Sequence, residues 1–455
     1  MRLPSYPSYE GSGAEHLGEL PSAWRTTPVK RRYRAQLGKM LQNEPASETD
    51  VLVPYLRALH VLWGKVNTTD LPQMWASPAE VRRFGVGSGD LLVCEGGEAG
   101  RAGMLECAPD PCIIQNAVHR VRGTGAEVRY LQYVLRSVSS AGWFDVLCNR
   151  ATISHLTGEK LAELRIPLPG GHEQRAIADF LDRETAKLDA LVAKKQALIE
   201  RLKEKRSALI SRTVTRGLPP DAARVAGLDP RPRLKPSGVD WIGEVPEQWS
   251  LARLKTLCTR VDVGIAEAAT HAYCDDGVPI IRSANVRANA LDTQEILQIE
   301  SWFAERNRSK TLHAGDLVTV RTGNPGTTAV IPPEYEGSQC FTLVMSTPKP
   351  TECSRFLCYL LNASVGVTHF RMQGWGTAQT NISVPIVQQV PVCRPPLSEQ
   401  RAIADFLDRE TAKLDQLATA IEAAIERLQE YRAALITAAV TGKIDVRSVA
   451  ASAPA

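Results

Sequence analysis

Several short stretches of this chain carry the side chain types best suited to pairing with flat hydrogen-bonding edges. Arg321, Asn324, Thr327 and Thr328 sit on or just beyond one glycine-bearing turn, and Arg101 holds a similar place in an earlier one. Gln115, Asn116, His119 and Arg120 follow a β-type run, and Arg282 ends another. Arg371, Gln373, Trp375, Thr377, Gln379, Thr380 and Asn381 form a polar, glycine-broken segment that is unfit for a core. Arginine forks onto guanine, asparagine and glutamine onto adenine, and arginine and lysine also hold phosphates. Taken singly, each of these is an ordinary solvated loop residue. As a set they are candidates for contact with DNA. The run Lys30-Arg31-Arg32-Tyr33-Arg34 fits a phosphate backbone as well as it fits a solvated face.

Motifs for catalysis do not assemble. There is no GxxxxGK[ST] cradle for a nucleotide. Ile331-Pro332-Pro333-Glu334-Tyr335 superficially resembles the Asp/Asn-Pro-Pro-Tyr box of amino-methyltransferases. Ile331, however, stands where a polar residue would bind the target amine, and Glu334 intrudes before the tyrosine, so a turn is expected. Glu95-Gly96-Gly97-Glu98-Ala99-Gly100 and Thr322-Gly323-Asn324-Pro325-Gly326 follow strand-like runs without opening a helix, which predicts tight hairpins. The eight histidines and ten cysteines make no zinc template, so no metal is expected and the thiols read as reduced, in a cytoplasmic protein. No apolar run of about 18 residues is present, so no membrane span is expected. The net charge of +4 and pI of about 8.5 permit nucleic acid without requiring it.

What must position these residues is a chain that repeats itself. Glu173–Leu191 reads EQRAIADFLDRETAKLDAL, and Glu399–Leu417 differs from it only in having Gln416 for Ala190. Fainter echoes keep the same order. Pro21 to Trp24 matches Pro246 to Trp249, Val53-Pro54 matches Val278-Pro279, and Gly89-Asp90 matches Gly315-Asp316. The organisation is variable unit, helix, variable unit, helix. The predicted divisions are a first recognition globule over 1–170, a long helix over 171–217, a linker over 218–239, a second globule over 240–397, a second long helix over 398–442 and a tail over 443–455. Short β-type runs broken by Gly, Pro and Asn, with a few helical patterns, make each globule α+β with a substantial sheet. Identical segments between divergent ones imply identical partners for the repeats and different ligands for the globules.

The repeats carry a heptad. Leu407, Leu414, Ile421, Leu428 and Leu435 recur every seven positions, as do Leu181, Leu188, Leu202 and Leu209, with Lys195 interrupting. Ile403, Leu417, Ala424, Tyr431 and Ala438 are assigned to the companion row, with Ile177, Leu191 and Leu198 in the first copy. The pattern predicts a coiled coil, antiparallel so that the globules take opposite ends of a rod about 60 Å long. Ser398 is the expected cap of the second helix, and Gly217 and Gly442 are the expected stops. The basic residues Arg201, Lys203, Lys205, Arg206 and Arg212 read as flank charges paired with Glu200 and Glu204.

The doubled Glu-Gln-Arg-Ala-Ile-Ala-Asp-Phe-Leu-Asp, set after proline-rich strand ends and heading two long helices, resembles the specificity subunit of type I restriction–modification enzymes. The likeness runs from about residue 20 to 445. It implies two target-recognition domains reading a bipartite sequence in double-stranded DNA, with an antiparallel coiled coil acting as a ruler between them. It also implies two methyltransferase subunits docked on the repeats, through Gln174, Arg175, Asp179 and Phe180 and through Gln400, Arg401, Asp405 and Phe406. Two motor–endonuclease subunits complete such a complex. S-adenosylmethionine, ATP and magnesium then belong to those partners, and this chain is non-catalytic. A coiled-coil scaffold with two ligand-binding globules and no DNA specificity is the alternative.

Overall fold

The computed structural model describes residues 4–148, 155–267, 270–374 and 381–447. The chain divides into two compact units, Met1–Lys195 with Glu422–Ala455 and Gln196–Ile421.

In the first unit, β1 (Tyr33–Leu37), β2 (Gly64–Lys65), β3 (Leu91–Cys94), β4 (Ala102–Met104) and β5 (Val118–Gly123) form one sheet in the order β1-β5-β3-β4-β2. Every residue of β3 is buried, because both faces of the sheet are covered. Leu91 and Val93 meet helix α1 (Val128–Ser140), whose Tyr130, Leu131, Val134, Leu135 and Val138 lie on one helical stripe. Leu92 and Cys94 face a second cluster with Leu56, Leu105 and Ile114. The Glu127 side chain caps α1 by accepting from the Arg129 N–H at 3.2 Å. The strand Arg165–Leu168 pairs antiparallel with Arg25–Pro28 and leads into the long helix α2 (Gly171–Arg216).

The second unit repeats this plan. β6 (Cys258–Val263), β7 (Leu317–Thr319), β8 (Thr328–Val330) and β9 (Val344–Pro348) follow the order β6-β9-β7-β8, matching β1-β5-β3-β4. Helix α3 (Ser354–Asn362) takes the place of α1. Pro391–Arg394 pairs with Ser250–Arg253 and leads into α4 (Leu397–Val440). The glycine-bearing runs are hairpin turns, β3–β4 and β7–β8, as expected. The predicted linker is ordered, with a short helix over Pro220–Val225 and a strand over Leu234–Pro236 paired to Glu244–Pro246.

Each unit pairs opposite ends of the two long helices, and this is the antiparallel arrangement. In the first unit Ile177, Phe180 and Leu181 share a core with Leu435, Ile436, Ala439 and Val440. In the second, Ile210 and Val214 share one with Ile403 and Leu407. The leading heptad row holds: Leu181, Leu202, Leu407, Ile421 and Leu435 are buried, and Leu188, Leu209, Leu414 and Leu428 are partly so.

The companion row holds at the helix heads, where Ile177 and Ile403 are buried, and is corrected beyond them. Leu191, Leu198, Leu417 and Tyr431 are 42, 43, 47 and 57 % exposed. The covered row lies on the other flank, four residues after each leading position: Thr185, Ile199 and Thr213, and Thr411, Ile425 and Ala439. Arg206 and Arg432 occupy that row too. Their guanidinium groups meet Asp415 at 3.1 Å and Asp189 at 2.9 Å, each within its own unit. The Glu200 pairing expected for the flank charges holds for Lys203, at 2.8 Å.

The expected cap at Ser398 is also corrected, since α4 starts at Leu397 and Ser398 lies inside it. The glycine stops hold. Gly217 and Gly442 follow the two helices with φ of +82° and +68°. A side chain at Gly442 would strike the Pro21 ring, its Cβ lying 2.4 Å from Cγ.

Candidate nucleic-acid interface

The head of each long helix is laced to its own globule by the same atoms. In the first unit the Gln174 side chain accepts from the Glu127 N–H at 3.1 Å and donates to the Pro169 carbonyl at 2.9 Å. Arg129 donates to Asp179 at 2.8 Å and Asp182 at 2.7 Å, and Tyr133 OH donates to Asp182 at 2.7 Å. In the second unit Gln400 accepts from the Cys353 N–H at 2.8 Å and donates to the Pro395 carbonyl at 3.0 Å. Arg355 binds Asp405 and Asp408, and Tyr359 OH donates to Asp408 at 2.7 Å. Partial burial opposes the charge on Arg129 and on Arg355, yet the surrounding carboxylates raise both pKa values.

This lacing changes the reading of the repeated segment. Gln174 and Gln400 are buried and fully engaged inside their units. Phe180 is a core residue, and Phe406 packs partly against the other core. Asp179 and Asp405 are held by arginines of their own globules. Of the residues assigned to partner docking, Arg175, Asp179, Arg401 and Asp405 are exposed, the two aspartates while paired with Arg129 and Arg355. Much of the identity between the repeats therefore has an internal cause, the fastening of a rod to a globule.

The surfaces set on this common frame differ. In the first unit β1 and β5 pair Arg34 with Arg122 and Gln36 with Arg120, so all four side chains share one face. With Lys30, Glu95 and His119 they line a groove of about 1060 Å³. Arg122 is bidentate on Asp90, which raises its pKa, and Arg120 donates to the Gly85 carbonyl. Burial, then Arg122, lowers the Arg120 pKa. Lys30 pairs with Glu163. Arg34 is exposed and has no partner among the described residues.

In the second unit the equivalent sheet face is internally neutralised. Arg260 meets buried Asp316 at 3.1 Å, and Lys310 binds Asp262. Met345 and Thr347, paired with Asp262 and Arg260 as Arg120 and Arg122 are with Gln36 and Arg34, complete that face.

The remaining candidate contacts fall into distinct settings. Arg101 turns inward to Glu98 at 3.0 Å and to the Ala58 carbonyl at 2.9 Å. Gln115 and Asn116 are half-buried. His119 is 1 % exposed and its Nε2 donates to the Leu156 carbonyl at 3.1 Å. Arg282 is half-buried, and its Nε has no partner among the described residues. Arg321 is half-buried with Nε donating to the Ile382 carbonyl at 3.2 Å; Asn324 is exposed and Thr327 half-buried. Arg371 and Gln373 are exposed at the end of a helix over Ser364–Gln373. Trp375 and Gln379 lie outside the described residues. Sequence reading missed Glu95, Gln36 and Arg122. The strand alternation through 120 and 122 was a usable signal for the last.

Three buried histidines make stability depend on pH. Burial lowers the pKa of His60, His119 and His369, so each is neutral in the fold while the unfolded chain still protonates near 6.5. Their contribution is complete above about pH 6.5 and is lost as pH falls from there toward the lowered values. Glu399, raised by burial, acts oppositely at lower pH. Melting followed by circular dichroism is expected to show the midpoint falling between pH 7.5 and 5.5, with a shallower fall in His119→Gln.

Comparison with known proteins agrees with this geometry. The family model described as type I restriction modification DNA specificity domain matches residues 85–201 and 246–427. The chain is 22 % identical over 457 residues to the type I restriction enzyme StySPI specificity subunit of Salmonella potsdam, covering 94 % of this chain and 90 % of that one. It is 20 % identical over 412 residues to the EcoBI specificity subunit of Escherichia coli, covering 86 % and 80 %. A structure solved in work on complex assembly and conformational transition of the type I R-M system superposes with TM-score 0.64 at 17 % identity, over 92 % of this chain and 98 % of that one. The HsdS subunit from Thermoanaerobacter tengcongensis gives 0.50 at 19 % identity, over 93 % and 98 %.

Proposed function

Since the chain belongs to the type I restriction modification DNA specificity family, we propose that it is the sequence-reading subunit of such a system and that its target in double-stranded DNA is bipartite. Each unit reads one half-site. The two long helices, shared between the units, hold the half-sites at a set separation. Two copies of a methyltransferase dock on the chain, and two motor–endonuclease subunits join them. S-adenosylmethionine, ATP and magnesium belong to those partners, while this chain positions DNA without performing chemistry.

One observation carries the reading. The two units share strand order, hairpins and helix-head lacing, yet present different polar side chains on that frame. A scaffold with no sequence preference has no need of such divergence on a retained frame, whereas a reader of two unlike half-sites requires it. Arginine and glutamine on an exposed sheet face supply both phosphate attraction and base-edge pairing.

The test is binding by the purified complex with its methyltransferase, at fixed salt, to a library of random duplexes. Enrichment of one motif made of two blocks with a constant gap supports the proposal. Binding to all duplexes alike would favour the scaffold.

A further inference from the structure

The β3–β4 and β7–β8 hairpins are one turn built twice. Cys94 N–H donates to the Arg101 carbonyl at 2.8 Å and Val320 N–H to that of Thr327 at 2.9 Å. Gly100 N–H donates back to Cys94 at 3.0 Å and Gly326 N–H to Val320 at 2.9 Å. The turn's first residue is pinned from outside in both units, Leu156 N–H donating to the Glu95 carbonyl at 2.7 Å and Ile382 N–H to that of Arg321 at 3.1 Å. The ring of Phe144 packs over Gly100, and that of Phe370 over Gly326. Backbone geometry is therefore held constant where the side chain is exchanged, and the exchange is from glutamate to arginine.

The two side chains have opposite hydrogen-bonding character. A carboxylate only accepts, and a guanidinium only donates. In the first unit Glu95 Oε2 is buried without a hydrogen bond among the described residues, with His119 Nε2 3.6 Å away. Beside it His119, 1 % exposed, uses Nε2 as a donor, so Nδ1 is an acceptor, and it too has no partner among the described residues. Two unpaired acceptors thus line the groove that Lys30, Arg34, Arg120 and Arg122 also line. A buried acceptor without a donor is costly, and a donor arriving from outside would satisfy it. The cationic residues offset the repulsion between Glu95 and DNA phosphates. In the second unit Arg321 commits Nε to Ile382, while its terminal nitrogens have no partner among the described residues.

Resting on the proposed reading of DNA, we infer that the turn's first residue is a specificity position. Glu95 accepts from an exocyclic base amine, that of cytosine, and Arg321 donates to the acceptor edge of guanine. Carboxylates accept from cytosine N4, and arginine forks onto guanine O6 and N7.

The experiment is motif selection by the complete complex with its methyltransferase, comparing wild type with Arg321→Gln, Glu95→Gln and Glu95→Arg. Arg321→Gln is expected to lower the guanine preference at one position of one half-site by about tenfold or more, leaving the other half-site intact. Glu95→Gln is expected to weaken cytosine selection at one position of the opposite half-site, and Glu95→Arg to turn it toward guanine. Unchanged motifs in variants that still assemble, or equal effects on both half-sites, would overturn the inference. Absence of any two-part motif in the wild type would instead defeat the underlying reading. A melting curve for each variant separates altered selection from misfolding, and Glu95→Gln, the near-isosteric change, keeps the test available should the arginine variant fail to fold.

Discussion

Inserting seven residues into α4 alone, between Ile421 and Glu422, is expected to break the protein, whereas a matched insertion after Lys195 in α2 restores it. Each helix passes from one unit to the other at these points. A heptad keeps every side chain on its face, because seven residues make close to two turns. With one helix lengthened, however, the pairs on the two sides of the insertion cannot both form. Either the added turns loop out or one unit loses its helix contacts. The losses in the first unit would include those of Leu181 with Leu435, Ile436 and Val440. Each such large side chain is worth about 2–5 kcal/mol, so the total is on the order of 5 kcal/mol or more. Differential scanning calorimetry should show a split or strongly lowered transition for the single insertion and recovery for the double one. Under the proposed ruler, the double insertion adds about 10 Å. The preferred gap in the DNA motif should then lengthen by roughly three base pairs, at about 3.4 Å each. Recovery of folding with an unchanged gap would contradict the ruler.

Substituting Gly326 by Ala is expected to cost about 2–5 kcal/mol. The residue has φ of +91°, and an added Cβ would lie 2.4 Å from Phe370 Cδ2. The left-handed conformation costs a residue with a Cβ about 1–2 kcal/mol. Forcing the ring aside adds about 1–3 kcal/mol. Gly323 provides the control: its φ is +88° but nothing lies within 4 Å of its Cβ, so Gly323→Ala should show the backbone part alone. Phe370→Leu combined with Gly326→Ala should be milder than the sum of the two single changes, because the smaller side chain relieves the clash. Denaturant unfolding of the four variants measures this. Equal costs at 323 and 326 would mean that the ring contact contributes nothing. Gly100, with φ of +81° and Cβ 2.3 Å from the Phe144 ring, should behave as Gly326 does.

What the sequence revealed followed what repeats. The leading heptad row, the glycine stops and the paired hairpins were legible because apolar spacing and left-handed glycines leave marks that survive without context. Beyond Ile177 and Ile403, which are buried as expected, the companion row was misjudged for a physical reason. Leu191, Leu198, Leu417 and Tyr431 are apolar yet exposed, while the true row holds threonines and arginines. Thr185 and Thr411 satisfy their hydroxyls on the carbonyls of Leu181 and Leu407, and Arg206 and Arg432 reach across to aspartates. Hydropathy sees the side chain but not the partner that makes its burial tolerable.

The candidate contacts were legible as a class but not as individuals. Arg101 and Arg321 are the same kind of residue in nearby turn positions, yet one is locked to Glu98 and Ala58 while the other has terminal nitrogens with no partner among the described residues. Gln174 and Gln400 looked like a shared surface because identical sequence does not say which side faces inward. The polar groups that receive them, the Glu127 and Cys353 N–H and the proline carbonyls before each helix, come from distant or irregular backbone that no periodic pattern reports. Glu95 was not legible because an acidic residue is foreign to a DNA surface until its neighbours Arg120 and Arg122 are placed around it.

The central claim is that two unlike reading units on one duplicated frame select a two-part sequence with a fixed gap. Mapping methylated adenines across a genome exposed to the assembled complex tests it most directly. The account predicts a single motif of two short, different blocks at constant separation, methylated throughout. Methylation at an uninterrupted motif, at blocks with no constant separation, or without sequence preference would contradict it.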